Sequence, residues 1–272
     1  MKIVFTDLDS TFLNSDAKIS KKNMDTLFYL QKKGVVTVAA TGRNIFSCNN
    51  VLSPDLPFDY LIFSTGIGMM DFKSKKIINS HHFEIQQSLY ISSLLIQLGF
   101  NIFIHNTVPD NHFFYYQRSK HNPDFESRFK IYENFGTELK SLEQIKNVSQ
   151  FVLVLNHGQE EFVRVTEVIH NNTSNIKIIR ATSPINHKNI WLEVYPENVS
   201  KGNSAIELCE LLNIDIKDSI AIGNDYNDIE LLEVAGKSFI VENAPEELKS
   251  KYEVVASNDN DGFSEAVLQL IS

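Results

Sequence analysis

The sequence predicts an α/β protein with a mainly parallel sheet that is interrupted by an inserted α+β domain. Strand-like and helix-like segments alternate over the first forty residues at the spacing of a right-handed parallel βαβ unit. The pattern changes near residue 81, and the earlier alternation resumes in the last part of the chain. We therefore expect a core formed by residues 1–81 and 189–272 and a second domain over 82–188.

The first segment supplies a strand, a helix and a second strand. The apolar run from Ile3 to Phe5 predicts a buried strand. Ser20 is a residue type that caps helix N-termini, apolar residues recur after it at helical spacing, and Gly34 is typical of a helix C-terminus. The β-branched run over 35–40 then predicts the second strand.

The other predicted elements follow from the same two periodicities. The first part of the chain also contains a helix over 44–52, a strand over 60–64 and a hairpin over 69–78. The insertion contains helices over 83–98 and 159–171 and strands over 100–105, 112–116, 151–155 and 176–179, with 117–136 unassigned. The last part contains strands over 190–195, 219–223 and 238–241. It also contains helices over 200–212 and 246–251 and a further helix that begins at residue 229.

Composition excludes several classes of protein. A hydrophobic fraction of 43% and a charged fraction of 22% are ordinary for a globular chain. The formal net charge of −9 argues against a nucleic-acid or anionic-membrane partner, because such binding needs a basic surface. Cys48 and Cys209 match no metal-ligand spacing and exclude a scaffold built on cystines. We find no signal peptide and no apolar run of about 20 residues, and we expect a cytoplasmic protein.

Polar clusters stand at predicted strand ends or in first helical turns. They are, in chain order, Asp7 with Asp9 and Thr11, then Thr41, then Lys201, and finally Asn224 with Asp225, Asn227 and Asp228. Each alone has a structural alternative: an acidic turn, a helix N-cap, a solvated lysine or a capping loop. Two close carboxylates raise each other's pKa unless a cation lies near them. Together the clusters supply hard oxygen ligands, a hydroxyl and an ammonium, which are the parts that hold a phosphoryl group.

The order and spacing of these clusters resemble the four motifs of the haloacid dehalogenase (HAD) superfamily of phosphohydrolases. The insertion resembles the type IIB (C2B) cap of the Cof-like branch. The resemblance implies a Rossmann-like, doubly wound core and a cap that selects the substrate. It also implies Mg²⁺-dependent hydrolysis of small phosphomonoesters, with sugar phosphates favoured, and a monomer or weak homodimer. Asn224 stands where the family usually has an aspartate, and Ser10 stands where it usually has glycine.

The resemblance also implies a role for each motif residue. Asp7 would be the nucleophile that forms an aspartyl phosphate, and Asp9 would be the acid and base. The implied catalytic residues are Asp7, Asp9, Thr41, Lys201 and Asn227. The implied substrate-binding residues are Thr11, Thr41, Gly42, Arg43 and Lys201. The implied Mg²⁺ ligands are Asp7, Asp9, Asn224, Asp225 and Asp228, where the choice between Asn224 and Asp225 stays open.

Two alternative functions fit the same residues. A phosphomutase or phosphotransferase would use the same aspartate but return the phosphoryl group to a sugar. A non-catalytic ligand-binding relic is supported only by Asn224 and is opposed by the presence of Asp7 and Lys201. Position in the insertion alone suggests specificity residues, each of which has an alternative as a loop residue: His105, Asn106, His112, Tyr115, Tyr116, His187 and Lys188.

Overall fold

The computed structural model describes residues 1–155, 158–183 and 189–270. The chain forms two compact units. The first unit consists of Met1–Ser80 and Ser200–Ser272, and the second unit consists of His81–Val199. None of the described helices combines the length and the hydropathy that a membrane crossing needs.

Both units combine strands with helices. The N-terminal part contains β1 (Ile3–Thr6), α1 (Lys21–Lys32), β2 (Val36–Ala40), α2 (Ile45–Cys48), β3 (Tyr60–Phe63), β4 (Gly68–Asp71) and β5 (Ile77–Ser80). The second unit contains α3 (Ile85–Gln97), β6 (Ile102–His105), β7 (Phe114–Gln117), α4 (Pro123–Tyr132), β8 (Gly136–Glu138), β9 (Gln150–Val154), α5 (Gly158–Asn172), β10 (Ile176–Thr182) and β11 (Ile190–Pro196). The C-terminal part contains α6 (Lys201–Leu211), β12 (Ser219–Gly223), α7 (Ile229–Val234), β13 (Lys237–Val241), α8 (Glu246–Lys249), β14 (Glu253–Val255) and α9 (Gly262–Leu268).

The first unit is built on one sheet with the strand order β14-β13-β12-β1-β2-β3-β4-β5. The strands from β14 to β3 are parallel, and β4 and β5 add an antiparallel edge. Every residue of β1 is buried, which is why Ile3 to Phe5 reads as an unbroken apolar run. Because β2, β1 and β12 are neighbours, the residues that follow these three strands meet at one edge of the sheet.

The second unit is built on a sheet with the order β10-β11-β9-β6-β7-β8. Its pairs are antiparallel except for the parallel pair of β7 and β8. Strand residues alternate between two hydrophobic clusters. One contains Ile104 and Leu153 and includes α3 and α5, and the other contains Phe103 and Val152 and includes Phe125 of α4.

The predicted fold class is confirmed, and so is the hairpin of β4 and β5. The predicted core boundary at residue 189 differs from the structure. Strand β11 belongs to the sheet of the second unit, because it pairs with β10 along its whole length and with β9 on its other edge. The helix predicted over 44–52 is only the short α2, which ends before Asn49 and Asn50, and Asn is a poor helix former.

The unassigned stretch 117–136 contains the helix α4. Asn122 caps it by accepting the N–H groups of Asp124 and Phe125, and Pro123 occupies its first turn. Asn followed by Pro is a recognisable helix start, so the sequence did carry this signal. Strands β8 and β14 and helix α9 were also missed, and the two strands are only three residues long.

Candidate active site

The site lies at the carboxyl ends of three neighbouring strands in the first unit. Asp7 follows β1, Thr41 follows β2 and Asn224 follows β12. The N–H of Asp7 donates to the carbonyl of Ile222 at 2.9 Å, which ties the end of β1 to β12. Lys201 is the first residue of α6, where Ser200 caps the helix by accepting the N–H of Asn203.

Lys201 is a buried cation held between two carboxylates. Its Nζ donates to Asp7 Oδ1 and to Asp228 Oδ1, both at 2.6 Å, and its side chain is 0% exposed. Asp228 Oδ2 accepts the N–H groups of Asn224 at 2.9 Å and Asp225 at 3.1 Å. Both oxygens of Asp228 therefore accept hydrogen bonds. The main-chain donors fix the Asp228 carboxylate, and this carboxylate in turn orients the Lys201 ammonium.

Burial and the neighbouring charges shift the pKa values of Asp7 and Lys201. Burial raises the pKa of Asp7 to about 7; Lys201 opposes this shift, and the negative charges of Asp228 and Asp9 add to it. Burial alone would lower the pKa of Lys201, but Asp228 and Asp7 together hold it above its ordinary value. Lys201 thus remains an ammonium, and a second cation near Asp7 would favour the ionised carboxylate.

The side chain of Asn224 faces the other oxygen of Asp7. If its NH₂ group points inward, toward Asp7, it donates to Thr11 Oγ1 at 3.1 Å, Asp7 Oδ2 at 3.2 Å and the Asp9 carbonyl oxygen at 3.1 Å. If its oxygen points inward, it accepts from Thr11 Oγ1 at 3.1 Å and faces the oxygens of Asp7 and Asp9. The amide orientation therefore decides whether this point is a donor or a third oxygen ligand.

The oxygen-inward orientation fits a small divalent cation. Octahedral Mg²⁺ with oxygen ligands at about 2.1 Å places neighbouring ligands about 3.0 Å apart. The separations from the Asn224 position to Asp7 Oδ2 and to the Asp9 carbonyl are 3.2 and 3.1 Å. In the ranges that the structure describes, no three His, Cys, Asp or Glu side chains are grouped to hold a metal, so main-chain and amide oxygens would have to contribute. Asp225 instead forms a capping box with Asp228.

Arg43 contacts the predicted acid and base. Its Nε donates to Asp9 Oδ2 at 2.8 Å and its Nη2 donates to Asp9 Oδ1 at 2.6 Å, while Nη1 donates to Ser47 Oγ at 3.0 Å. Thr41 is fully buried, and its Oγ1 accepts the N–H of Arg43 at 3.1 Å. The sequence analysis placed Arg43 among the substrate-binding residues but missed its ion pair with Asp9.

Two further predicted residues lie side by side. A Cβ atom on Gly42 would lie 3.6 Å from Asn227 Nδ2 and 3.6 Å from Thr65 Oγ1. The side-chain oxygen of Asn227 is buried and accepts no hydrogen bond from the part of the chain that is described. A buried acceptor without a donor is costly, so this oxygen is suited to accept from a bound group.

The turn after β3 supports Lys201, and sequence reasoning did not detect this contact. Gly66 has a φ of +103°, and a Cβ atom there would lie 2.4 Å from the carbonyl oxygen of Ser200. Ser204 Oγ donates to the Gly66 carbonyl at 3.2 Å. Only glycine allows this close approach of the turn to the first residues of α6.

The specificity candidates of the insertion have varied surroundings. His105 is buried; its Nδ1 lies 2.9 Å from the Asn111 carbonyl oxygen, and burial lowers its pKa to about 3. Tyr116 packs on Phe129, and the Asn106 carbonyl accepts from Ser149 Oγ. Tyr115 and His112 are only partly exposed, and His187 and Lys188 lie outside the described residues.

A family model described as haloacid dehalogenase-like hydrolase matches residues 4–267. The chain belongs to this family. It is 26% identical over 296 residues to 5-amino-6-(5-phospho-D-ribitylamino)uracil phosphatase YwtE of Bacillus subtilis, covering 100% of this chain and 99% of that protein. It is 25% identical over 291 residues to phosphatase YwpJ of Bacillus subtilis, covering 100% of both chains.

Solved structures of HAD phosphatases share the fold. A HAD phosphatase from Bacteroides thetaiotaomicron matches with a TM-score of 0.81 at 20% identity, covering 99% of this chain and 94% of that chain. A HAD subclass IIB sugar phosphatase matches with a TM-score of 0.77 at 19% identity, covering 99% of both chains. The predicted family and the predicted class of enzyme are therefore confirmed: the chain is a HAD-type phosphatase.

Proposed function

We propose that this HAD-type phosphatase hydrolyses small phosphomonoesters, with sugar phosphates as the favoured class, through an aspartyl phosphate on Asp7 and with Mg²⁺. The observation that carries the proposal is the buried ion pair of Lys201 with one oxygen of Asp7, beside an oxygen-lined position at the other. The names of the relatives support the substrate class, since one acts on a phosphorylated ribityl compound and one is a sugar phosphatase.

In the proposed reaction, a carboxylate oxygen of Asp7 attacks phosphorus as the ester bond to the leaving alcohol breaks. A carboxylate suits this role because the Lys201 ammonium, and Mg²⁺ when bound, favour its ionised form, whereas serine would need a base. Asp9 gives its proton to the leaving alkoxide and then takes one from the water that hydrolyses the aspartyl phosphate. This second step regenerates Asp7 and releases inorganic phosphate.

The surrounding donors would hold the phosphoryl oxygens. The Thr41 hydroxyl would donate a hydrogen bond to a phosphoryl oxygen, and Lys201 would neutralise negative charge on the phosphoryl group and on Asp7. Asn227, whose side-chain oxygen is buried without a donor from the described residues, would position a bound group. We assign Thr11 and Gly42 to the same site, because Thr11 contacts Asn224 and Gly42 lies beside Asn227.

The proposed Mg²⁺ would be held by Asp7 Oδ2, the Asp9 carbonyl and the Asn224 side-chain oxygen, with Asp228 contributing through water. When bound, the ion offsets the repulsion between the Asp7 carboxylate and the phosphate dianion. We favour Asn224 over Asp225 as the direct ligand, because Asn224 faces Asp7 whereas Asp225 caps the following turn.

We further propose that the second unit selects the leaving group and that the enzyme acts on a small cytoplasmic metabolite, as a monomer or weak homodimer. This role rests on the resemblance to capped HAD phosphatases. A panel of phosphorylated metabolites with Mg²⁺, scored for released phosphate, tests the substrate class. Interconversion of glucose 1-phosphate and glucose 6-phosphate without phosphate release would instead support a phosphomutase.

Asp7→Asn tests the nucleophile with p-nitrophenyl phosphate and Mg²⁺. We expect turnover to fall by at least about 10³-fold, because the amide does not form the acyl phosphate. The matched control is Asp218→Asn, which removes an exposed carboxylate that pairs with Lys2 on the protein surface. Retention of most of the turnover by Asp7→Asn would refute the assignment.

A further inference from the structure

The ion pair between Arg43 and Asp9 conflicts with the work proposed for Asp9. Both carboxylate oxygens accept charge-assisted hydrogen bonds from one guanidinium, at 2.8 and 2.6 Å. A general acid and base must gain and lose a proton on one of those oxygens. While the pair is closed, each oxygen already accepts from the guanidinium, and the carboxylate is not free to turn toward the leaving group or the attacking water.

The main chain around Asp9 is held by hydrogen bonds, whereas the Asp9 side chain is partly exposed. The N–H of Leu13 donates to the Leu8 carbonyl at 2.8 Å, and Asn243 Nδ2 donates to the Ser10 carbonyl at 2.8 Å, so the turn that carries Asp9 is closed at its base and held at its middle. The Asp9 side chain is 43% exposed. Opening the pair thus requires only side-chain rotation.

Arg43 has a suitable second partner in the substrate. The guanidinium fork matches the two oxygens of a carboxylate and two oxygens of a phosphoryl group equally well. Its main chain adjoins the phosphoryl-binding hydroxyl, because Thr41 Oγ1 accepts the Arg43 N–H at 3.1 Å. Ser47 Oγ accepts from Nη1 and would keep the fork near the site when Asp9 departs.

We propose that Arg43 is a positioning residue that exchanges Asp9 for a phosphoryl group. In the free enzyme the Arg43 guanidinium holds the Asp9 carboxylate in an ion pair. When a phosphoryl group binds, it replaces Asp9 as the partner of the guanidinium, and the Asp9 side chain is released. Asp9 and phosphate therefore compete for one guanidinium. The inference rests on the proposed function, and it links substrate binding to the release of Asp9, the proposed acid and base, from Arg43.

The pair of Arg118 and Glu126 in the second unit provides a matched control. It has the same two-point geometry, with Nε to Oε1 at 2.8 Å and Nη2 to Oε2 at 3.1 Å. Its arginine and glutamate side chains are 40% and 37% exposed, compared with 23% for Arg43 and 43% for Asp9, so the carboxylates match and the control arginine is more exposed. Glu126→Gln breaks an equivalent ion pair that is not part of the proposed site.

The test measures binding of inorganic phosphate by calorimetry, with Mg²⁺ present and no turnover. We expect Asp9→Asn to bind phosphate roughly two- to fivefold more tightly, which is the range for a partly exposed pair. We expect Arg43→Met to bind it more weakly, Asp9→Asn to give no gain in the Arg43→Met background, and Glu126→Gln to bind like the wild type.

The double variant separates the exchange from simple charge repulsion. Removing the negative charge of Asp9 would tighten phosphate binding in either background if repulsion alone were responsible. An equal gain with and without Arg43, or no gain in Asp9→Asn, would overturn the proposal. If the wild type binds phosphate with this Arg43 dependence but releases none from any ester, the proposed hydrolysis fails while the competition stands.

Discussion

Replacing Lys201 by methionine tests how strongly the buried ion pairs stabilise the first unit. Methionine keeps most of the side-chain volume but leaves Asp7 and Asp228 buried without a cation. Each 2.6 Å contact is worth roughly 6 kcal/mol at an effective dielectric constant of about 20. Removing the ammonium also removes its own desolvation cost, so we expect a net loss of about 3–5 kcal/mol in the free energy of unfolding.

The assay is urea unfolding at neutral pH, followed by circular dichroism and by fluorescence. The only tryptophan of the sequence, Trp191, lies in the second unit, so its emission follows that unit while circular dichroism follows both. We expect Lys201→Met to shift the part of the transition that tryptophan emission does not report. Lys2→Met is the control: Lys2 lies 2.7 Å from Asp218 but is 63% exposed, and we expect no measurable change.

The pH dependence gives a second, independent check on Lys201→Met. Without the ammonium, the pKa of Asp7 rises further above its already raised value, so above about pH 7 the folded variant binds more protons than the folded wild type. Its stability deficit should therefore shrink as the pH falls from the alkaline side toward about 7, below which Asp7 is protonated in both folded proteins. A cost no larger than that of Lys2→Met, or a deficit that does not shrink, would refute the reasoning.

Three further predictions concern other parts of the chain. Asn224→Asp adds a carboxylate to the oxygen-lined position, so we expect Mg²⁺ to raise the melting temperature at roughly tenfold lower concentration, and an unchanged titration would contradict this. Burial lowers the pKa of His105 to about 3, so below about pH 6.5 the folded protein takes up fewer protons than the unfolded chain. The free energy of unfolding therefore falls by up to roughly 1.4 kcal/mol for each pH unit of acidification. His105→Asn should make this dependence on pH less steep in urea titrations. Gly66→Ala should cost at least about 2 kcal/mol in thermal unfolding, since its Cβ would lie 2.4 Å from the Ser200 carbonyl oxygen and its φ is +103°.

The strands and helices were predictable where burial gives a clear period. Strand β1 is buried on both faces and appears as an unbroken apolar run, and β12 does likewise. The alternation over residues 190–195 also predicted a strand, but it could not show which sheet the strand joins. That depends on pairing with β10 and β9, which lies outside the information in a single segment.

The residues of the candidate site were predictable in kind and in rough position. The carboxyl ends of neighbouring parallel strands meet, so Asp7, Thr41 and the stretch 224–228 could be expected at one edge of the sheet. The choice between Asn224 and Asp225 could not be predicted. It depends on how the turn after β12 is capped, because Asp228 fixes the N–H groups of both residues.

The sequence by itself determined the family, the fold class and the set of polar groups at the strand ends. Only the tertiary structure decided which of these groups pair. Lys201 joins Asp7 across 194 positions of sequence, and Arg43 joins Asp9 across 34. Such contacts depend on strand order, on the approach of α6 to the turn at Gly66 and on side-chain rotamers. Local periodicity carries no information about these long-range distances.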